Sequence, residues 1–133
     1  MTSPLPAYYI GITIHRPFAD VNEFLSIPAN FEQWAAGLGK GFSQINGQWG
    51  FDTPDGRVKL RFTDRNAFGV ADHYVYPPTG GEVYVPLRAV PNGDGTEVTL
   101  ILFRPPEMTD QQLARDSAAM LRDLETLKAI LEK

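Results

Sequence analysis

Apolar residues recur at every second position near the start of the chain, which predicts a β-strand over residues 8–16. One face of this strand would carry four apolar side chains, those of Tyr8, Ile10, Ile12 and Ile14. Pro17 is expected to end the strand, because proline has no N–H to donate to a neighbouring strand.

The spacing of the apolar residues becomes helical over residues 18–38. Pro28 interrupts this pattern, so two short helices with a kink between them fit better than one long helix. Asp20 is predicted to cap the first helix. Gly37 and Gly39 are predicted to end the second helix and to begin a loop at the mouth of a pocket.

Between residues 41 and 104, turn signals separate six runs of strand-like sequence. Asn46-Gly47 and Asp55-Gly56 are strong hairpin signals, because the tight turns of hairpins need positive φ angles. Pro86 lies inside the fifth run and favours an edge position or a bulge there. Consecutive hairpins predict an antiparallel sheet with strands over residues 42–45, 48–53, 57–63, 70–76, 82–90 and 96–104.

The last 25 residues, 109–133, have the pattern of one long amphipathic helix. Thr109 and Gln112 have the spacing of a capping box, which predicts where the helix begins. Its apolar side would consist of Leu113, Met120, Leu121, Leu124, Leu127 and Leu131. This side is expected to pack in the core.

Composition limits the functions that this chain can have. A length of 133 residues suits a single domain over residues 1–133. The net charge of −4 and the scattered Lys and Arg argue against nucleic acid as a partner. The absence of cysteine excludes disulfides and thiol nucleophiles, and two histidines without a zinc motif predict no metal and no other cofactor. Without a signal-peptide pattern or an apolar stretch of ~20 residues, a cytoplasmic protein with no stable membrane insertion is expected.

Four segments carry a resemblance to a known family: ITIHRPFADVNEFLSIPANFEQWAAGL, NAFGVADHYVY, VYVPLRAVPNGDGTEVTLILFRPPEMT and LRDLETLKAILE. With the order of the predicted elements, they resemble the START-like, or SRPBCC, superfamily with its helix-grip (Bet v 1-like) fold. The resemblance covers nearly the whole chain, and the chain looks most like small bacterial proteins often labelled polyketide cyclase or SRPBCC family protein. It implies an α+β fold, in which a curved seven-stranded antiparallel sheet surrounds a long C-terminal helix and two short helices follow the first strand.

The resemblance also implies a deep, mostly apolar pocket between the concave face of the sheet and the C-terminal helix. Members of this superfamily bind lipids, sterols, plant hormones, polyketides or aromatic ligands, and some catalyse cyclisation in the cavity. Others bind proteins, as in the family that stimulates a chaperone ATPase. The fold alone does not choose among these functions.

His73 is the main candidate for chemistry. It shares one face of its predicted strand with Ala71 and Val75, while Asp72 and Tyr74 lie on the other face. On a concave face, His73 could be a general base, a hydrogen-bond anchor for a ligand, or an ordinary core histidine. Asp72 cannot orient His73, since adjacent side chains of a strand point to opposite faces.

Several other side chains are candidates for the lining of the pocket. The Arg88 guanidinium could hold a carboxylate or phosphate of a ligand, but an outer-surface pair with Glu82, Glu97 or Asp72 is the favoured interpretation. The aromatic residues Trp34, Trp49, Phe51, Phe62, Tyr74 and Tyr84 could surround a flat ring or form a plain aromatic core. The predicted ligand-binding set is Trp34, Trp49, Leu60, Phe62, His73, Tyr84, Arg88, Leu100, Leu102 and Met120.

Three functions are compatible with these patterns. The first is binding of a small hydrophobic or aromatic, lipid- or polyketide-like ligand between the sheet and the C-terminal helix. The second is a polyketide cyclase or aromatase that uses the same cavity, with His73 assisting proton transfer. Binding is favoured over catalysis, because the sequence offers no convincing acid/base pair. The third is a protein-interaction module, which would need an exposed apolar patch on the convex face around Ile101 and Phe103.

Overall fold

The computed structural model describes residues 3–35 and 40–133. Within this part of the chain the architecture is α+β, with eight strands and three α-helices. The strands are β1 (Ala7–Ile14), β2 (Lys40–Ile45), β3 (Gln48–Thr53), β4 (Gly56–Phe62), β5 (His73–Tyr76), β6 (Val83–Val85), β7 (Leu87–Asn92) and β8 (Gly95–Phe103). The helices are α1 (Phe18–Leu25), α2 (Phe31–Trp34) and α3 (Asp110–Leu131), and a 3₁₀ turn, Pro28–Asn30, precedes α2.

The strands form a curved antiparallel surface that is divided into two sheets. One sheet has three strands in the order β1-β8-β7, and the other has five strands in the order β2-β3-β4-β5-β6. The prediction of one seven-stranded sheet is therefore corrected: the described residues form eight strands, and these are divided between two sheets. The difference arises at Pro86, which ends β6 on β5 and allows the chain to continue as β7 on β8.

The strand predicted over residues 70–76 is also shorter than expected. Its regular pairing begins at His73, and only Val70 forms an isolated bridge, with Arg88. Gly69, whose φ of 76° is unsuited to a strand, precedes this bridge, and the Ala71 N–H donates to the Leu87 carbonyl of β7. The Ala89 N–H nevertheless donates to the Gly69 carbonyl, so this segment connects the two sheets.

The predicted β2–β3 turn and the predicted kink are confirmed. A hairpin also forms at the second signal, but its loop residues are Pro54 and Asp55, and Gly56 already begins β4. The β2–β3 hairpin turns at Asn46 and Gly47, whose φ angles of 51° and 79° are those that a type I′ turn needs. The 3₁₀ turn separates α1 from α2 as the position of Pro28 indicated. The predicted stop at Gly37 and Gly39 lies outside the described residues.

The predicted N-cap of α1 is wrong. Pro17 occupies the N-cap position, and the helix begins at Phe18 without a side-chain cap. Asp20 instead lies in the first turn, where its carboxylate accepts a 2.7 Å hydrogen bond from the Arg16 guanidinium. Proline is well tolerated at a helix start because the first N–H groups have no partner within the helix.

Helix α3 begins with the predicted capping box of Thr109 and Gln112. Its leucines Leu124 and Leu127 are fully buried, at 0% exposure, against the three-stranded sheet. Each buried leucine of this kind contributes about 1.5–3 kcal/mol through removal of apolar surface from water. The core around them contains Ile14, Val21, Trp34, Val85, Leu87, Ala89, Val98, Leu100 and Leu131.

A second core lies on the inner face of the five-stranded sheet. It is formed by Phe51, Val58 and Leu60, and aromatic side chains from α2, β2, β3 and β4 pack against it. The two cores share partly buried residues such as Phe31 and Val75. None of the helices in the described segments is long and apolar enough to cross a membrane.

Candidate functional site

Cross-strand pairing places an apolar row on the inner face of the five-stranded sheet. Trp49 is opposite Leu60, and Phe62 is opposite His73. Alternation along β4 then gives Leu60 and Phe62 the same face, which is the face that His73 and Val75 share on β5. Three strands therefore bring four of the predicted ligand-binding residues, Trp49, Leu60, Phe62 and His73, to one region.

Phe31 of α2 covers this region from the helix side. Its ring centre is 5.1 Å from that of His73, 5.4 Å from that of Phe62 and 5.2 Å from that of Trp34. Edge-to-face contacts at these distances are favourable, because the positive edge of one ring meets the negative face of another. Phe42 stacks on Trp49 at 5.1 Å and continues the aromatic lining towards β2. We call the set Phe31, Phe42, Trp49, Phe62 and His73 the aromatic cluster.

His73 is the polar member of the aromatic cluster. His73 is only 6% exposed, and its Nδ1 atom is buried with no hydrogen-bond partner among the described residues. Burial lowers the pKa of His73 to about 4, and the Ala71 backbone and the Asp72 charge oppose this shift without reversing it. The imidazole is therefore neutral at pH 7, and its Nδ1 receives no hydrogen bond from residues 3–35 or 40–133.

An open cleft of about 490 Å³ reaches the edge of the aromatic cluster. Trp49, Leu60 and Phe62 supply apolar side chains to its lining. Polar side chains come from the α1–3₁₀ connection, the β2–β3 turn and the end of β4, and they include Ser26, Asn46, Gln48 and Asp64. Arg65 also lines the cleft and forms an ion pair with Glu23 of α1. Phe62 is thus shared between the open cleft and the contact with buried His73.

Two predicted ligand-binding residues, Tyr84 and Arg88, lie on the opposite face of the sheet. Arg88 donates to both carboxylate oxygens of Asp72, at 2.8 Å each, and Tyr84 donates its hydroxyl at 2.7 Å. The expectation that they line one pocket with His73 is therefore corrected, because residues 72 and 73 point to opposite faces. The outer-surface pair with Asp72, which the sequence favoured, is the arrangement that forms.

Asp72 is a buried acceptor held by three residues of two strands, β6 and β7. It is 6% exposed and also accepts a 2.9 Å hydrogen bond from the Leu87 N–H. Burial alone would raise the pKa of this carboxyl, but the bonds from Arg88, Tyr84 and Leu87 together lower it below the usual value. The hydrogen bond to Asp72 raises the pKa of Tyr84, and the same carboxylate raises the pKa of Arg88. Asp72 thus connects β5 to the β6–β7 junction, where the two sheets meet.

Aromatic rings also stack along the outer face. Tyr74 lies 4.9 Å from Tyr84, and Tyr84 lies 6.2 Å from Phe103 of the other sheet. The Arg61 guanidinium lies 4.2 Å from the centre of the Tyr74 ring. Tyr74, like Tyr84, is therefore an outer-surface residue and not part of the aromatic cluster.

The remaining predicted residues belong to or adjoin the core between α3 and the three-stranded sheet. Trp34 and Leu100 are members of that core, each 3% exposed, and Met120 packs against it. Leu102 is buried at 6% exposure on the same face of β8 as Leu100. The leucines of α3 meet the sheet directly here, so side chains fill this part of the space between helix and sheet.

The most connected residue of the aromatic cluster, Phe31, was not among the predicted ligand-binding residues. Phe31 contacts Trp34, Phe42, Phe62 and His73. The available signal was the kink predicted at Pro28, since the second helix begins three residues later, at Phe31. Phe42 was also overlooked, since β2 pairs irregularly with β3 between Lys40 and Ser43.

The chemistry of the site follows from its donor atoms. Over residues 3–35 and 40–133, no three His, Asp or Glu side chains converge as metal ligands would. Asp72, the carboxylate next to His73 in sequence, is held on the other face by Arg88. The aromatic cluster can therefore offer apolar contact and one neutral hydrogen-bonding nitrogen.

The sequence matches no protein-family model and no curated protein. Solved structures do match. DynU16, a protein in the dynemicin biosynthetic locus, has a TM-score of 0.71 and 17% identity, with 98% of this chain and 48% of DynU16 covered. The present chain thus spans about half the length of DynU16.

Two further structures match over nearly their whole length. The Aha1 dimer from Colwellia psychrerythraea has a TM-score of 0.71 and 15% identity, with 96% of this chain and 97% of that chain covered. Ara h 8.0201 has a TM-score of 0.64 and 10% identity, with the same coverage of 96% and 97%. Identities this low are informative about the fold alone. The curved antiparallel surface, the paired short helices and the long C-terminal helix show that this protein has the helix-grip fold of the START-like, or SRPBCC, proteins.

Proposed function

We propose that this protein binds a small hydrophobic or aromatic molecule, with the aromatic cluster as its binding surface. The observation that carries the proposal is the buried Nδ1 of His73, which lies among aromatic side chains and has no hydrogen-bond partner in the part of the chain that the structure describes. A buried polar atom without a partner costs about 1–3 kcal/mol, and a ligand that satisfies it recovers that cost. Apolar contact would supply most of the affinity, and the His73 nitrogen would fix the orientation of the ligand.

The cleft provides the entry route. Phe62 lies between the open cleft and His73, with ring centres 6.1 Å apart. Rotation of the Phe62 side chain would connect the cleft to the imidazole without a change in the backbone. The ligand would be neutral at the group that meets His73, since an anion would need a protonated imidazole.

Native mass spectrometry of freshly purified protein, followed by denaturation, tests whether a small molecule is carried. A discrete mass released on denaturation supports the proposal and identifies the ligand class. The matched variants are Phe62→Asp, which places a charge at the cleft, and Phe103→Asp on the outer face. Loss of the released mass in the first variant alone is the expected result. Equal retention in both variants, with each folded by circular dichroism, contradicts this site.

The fluorescent probe 1-anilinonaphthalene-8-sulfonate gives a second readout when no molecule is carried. Its naphthalene ring is expected to bind at the cleft and to gain fluorescence as water is excluded. Phe62→Asp should weaken binding at least about tenfold, and Phe103→Asp should leave it unchanged. A folded wild-type protein that gives no fluorescence increase and carries no mass would overturn the proposal.

Catalysis of a cyclisation in the same place is the second candidate. It would use neutral His73 as a base near a carbonyl of the substrate, in the fold that this chain shares with DynU16 of the dynemicin biosynthetic locus. Among the described residues no carboxylate lies beside His73 on the inner face, which makes binding the better supported function. His73→Ala would lose turnover but keep affinity within about tenfold if the residue acted only in the transition state.

Protein interaction is the third candidate, and one observation favours it. A groove of about 410 Å³ beside strand β6 is lined by Leu5, Val83, Tyr84, Phe103 and Pro105, together with Ser3 and Glu82. Leu5 and Val83 are 41% and 48% exposed, which is high for apolar residues. If this groove binds a protein, Val83→Lys should abolish the interaction in a pull-down and Phe62→Asp should preserve it.

A further inference from the structure

Strand β1 forms one edge of the three-stranded sheet, because the strand order is β1-β8-β7. The register of β1 with β8 is regular from Ala7 to Ile14, and the Arg104 N–H extends it by donating to the Pro6 carbonyl. In an antiparallel pair, residues alternate between bonding to the partner strand and pointing away from it. Since Pro6 bonds to β8, the backbone groups that point away from β8 are those of Ala7, Tyr9, Gly11 and Thr13.

The far end of this free edge is already occupied. Lys128 of α3 donates from its Nζ to the Thr13 carbonyl at 2.7 Å, which is consistent with the outward direction of that group. For Ala7, Tyr9 and Gly11, no partner for these outward groups exists among the described residues. Tyr9 is 72% exposed, and Gly11 is exposed as well. The open part of the edge therefore runs from Ala7 to Gly11.

The composition of β1 does not protect this edge. Natural edge strands usually carry a charge, a proline or a bulge that prevents pairing with another chain. The β1 sequence AYYIGITI contains no charged residue and no proline, and its pairing with β8 has no bulge. An uncharged edge can meet an identical edge without electrostatic repulsion.

We propose that β1 pairs with β1 of a second copy of this chain, antiparallel and about a two-fold axis at Tyr9. A two-fold axis there places Tyr9 opposite the partner subunit's Tyr9, and Ala7 opposite the partner subunit's Gly11. Each such pair exchanges two backbone hydrogen bonds, so the three pairs form about six. The bond from Lys128 to Thr13 ends the ladder and thereby selects this register over one shifted towards Ile14.

The side chains agree with this register. Tyr9 shares the outer face with Ile101, its neighbour on β8, so the two tyrosine rings would meet on that face. Small Ala7 and Gly11 flank the rings and leave room for them to stack. On the inner face, Tyr8, which is 38% exposed, would lie opposite the partner subunit's Ile10 and lose contact with water.

A single cysteine tests the axis directly, because the chain has none of its own. Directly opposite residues in a hydrogen-bonded pair have Cα atoms about 5.5 Å apart, which is within disulfide reach. Tyr9→Cys should give a covalent dimer under mild oxidation. The matched control is Val90→Cys, since Val90 is 53% exposed on β7 of the same sheet. Equal cross-linking of the two variants would contradict the proposed axis.

Charge substitution gives an independent test by light scattering after gel filtration. The wild-type protein should elute with twice the monomer mass. Tyr9→Lys and Tyr9→Glu should each raise the dimer dissociation constant about tenfold or more, because like charges would face each other. A mixture of the two variants should restore the dimer.

Three outcomes overturn the proposal. The wild-type protein could remain monomeric at millimolar concentration, the Tyr9→Lys variant could dimerise as well as the wild type, or the mixture could fail to pair. Val90→Lys is the control for a general effect of added charge and should leave the dimer intact. Circular dichroism of each variant establishes that a monomer is a folded monomer.

Discussion

Asp72 and His73 are consecutive in the chain, yet their side chains lie on opposite faces of the sheet and differ in how far their hydrogen-bonding atoms are used. The Asp72 carboxylate is fully used by Arg88, Tyr84 and the Leu87 N–H, whereas the His73 Nδ1 has no partner among the described residues. One residue stabilises the junction of the two sheets. The other, a member of the aromatic cluster, keeps a hydrogen-bonding atom that no described residue contacts.

Replacement of His73 by phenylalanine should stabilise the protein while weakening ligand binding. The change removes a buried nitrogen that has no partner among the described residues and keeps a flat ring beside Phe31. Removal of such a nitrogen should raise the free energy of unfolding by about 1–3 kcal/mol. Urea unfolding measures the stability, and native mass spectrometry measures the carried ligand. A loss of stability would show that the nitrogen has a partner in the folded protein.

The stability of the protein should fall in acid because of His73. Its pKa is lowered to about 4 by burial, from 6.5 in the unfolded chain, so the unfolded state binds more protons between these values. The free energy of unfolding should therefore be highest above pH 6.5 and fall by about 1.4 kcal/mol per unit as the pH decreases towards 4.

The His73→Phe variant is the control for this pH dependence. It should lack the decrease between pH 6.5 and 4, while the decrease caused by carboxyl groups at lower pH should remain. Asp72 contributes in that lower range, because its pKa is lowered and its stabilisation disappears when it is protonated. Identical profiles for the variant and the wild type would rule out His73 as the source.

Asp72→Asn should destabilise the protein by about 2–4 kcal/mol without changing the binding surface. The amide cannot accept the two Arg88 bonds, and the Tyr84 and Leu87 donors lose a charged acceptor in a buried place. Arg88→Ala should destabilise the protein less than Asp72→Asn does, because half of the Arg88 side chain is exposed to water. Thermal unfolding compares the two variants, and a larger effect of Arg88→Ala would contradict this order.

Leu127→Ala should lower the free energy of unfolding by about 2–5 kcal/mol, because truncation of this fully buried side chain leaves a cavity between α3 and the sheet. Leu121→Ala on the same helix is the matched control, because Leu121 is 43% exposed and should change stability by less than about 0.5 kcal/mol. Chemical unfolding curves of the two variants test the assignment of the buried side of α3. Similar losses in both would contradict it.

The local features of the fold could be predicted from sequence because they depend on neighbouring residues. The capping box at Thr109, the turn at Asn46-Gly47 and the kink at Pro28 each arise from the conformational preference of one or two residues. Alternation also predicted that Asp72 and His73 would face opposite ways. The order of such elements was enough to recognise the fold.

Tertiary structure decided which elements share a face and what lies between them. Pro86 indicated an irregularity, but only the pairing of β6 with β5 and of β7 with β8 produced two sheets. The grouping of Tyr84 and Arg88 with His73 was wrong, because the facing of each strand depends on long-range register. Phe31 joined the aromatic cluster through contacts of its ring with Phe42, Phe62 and His73, which are distant from it in sequence. Sequence periodicity records which side of an element is apolar, whereas the partner of that side is set by contacts between residues far apart in the chain.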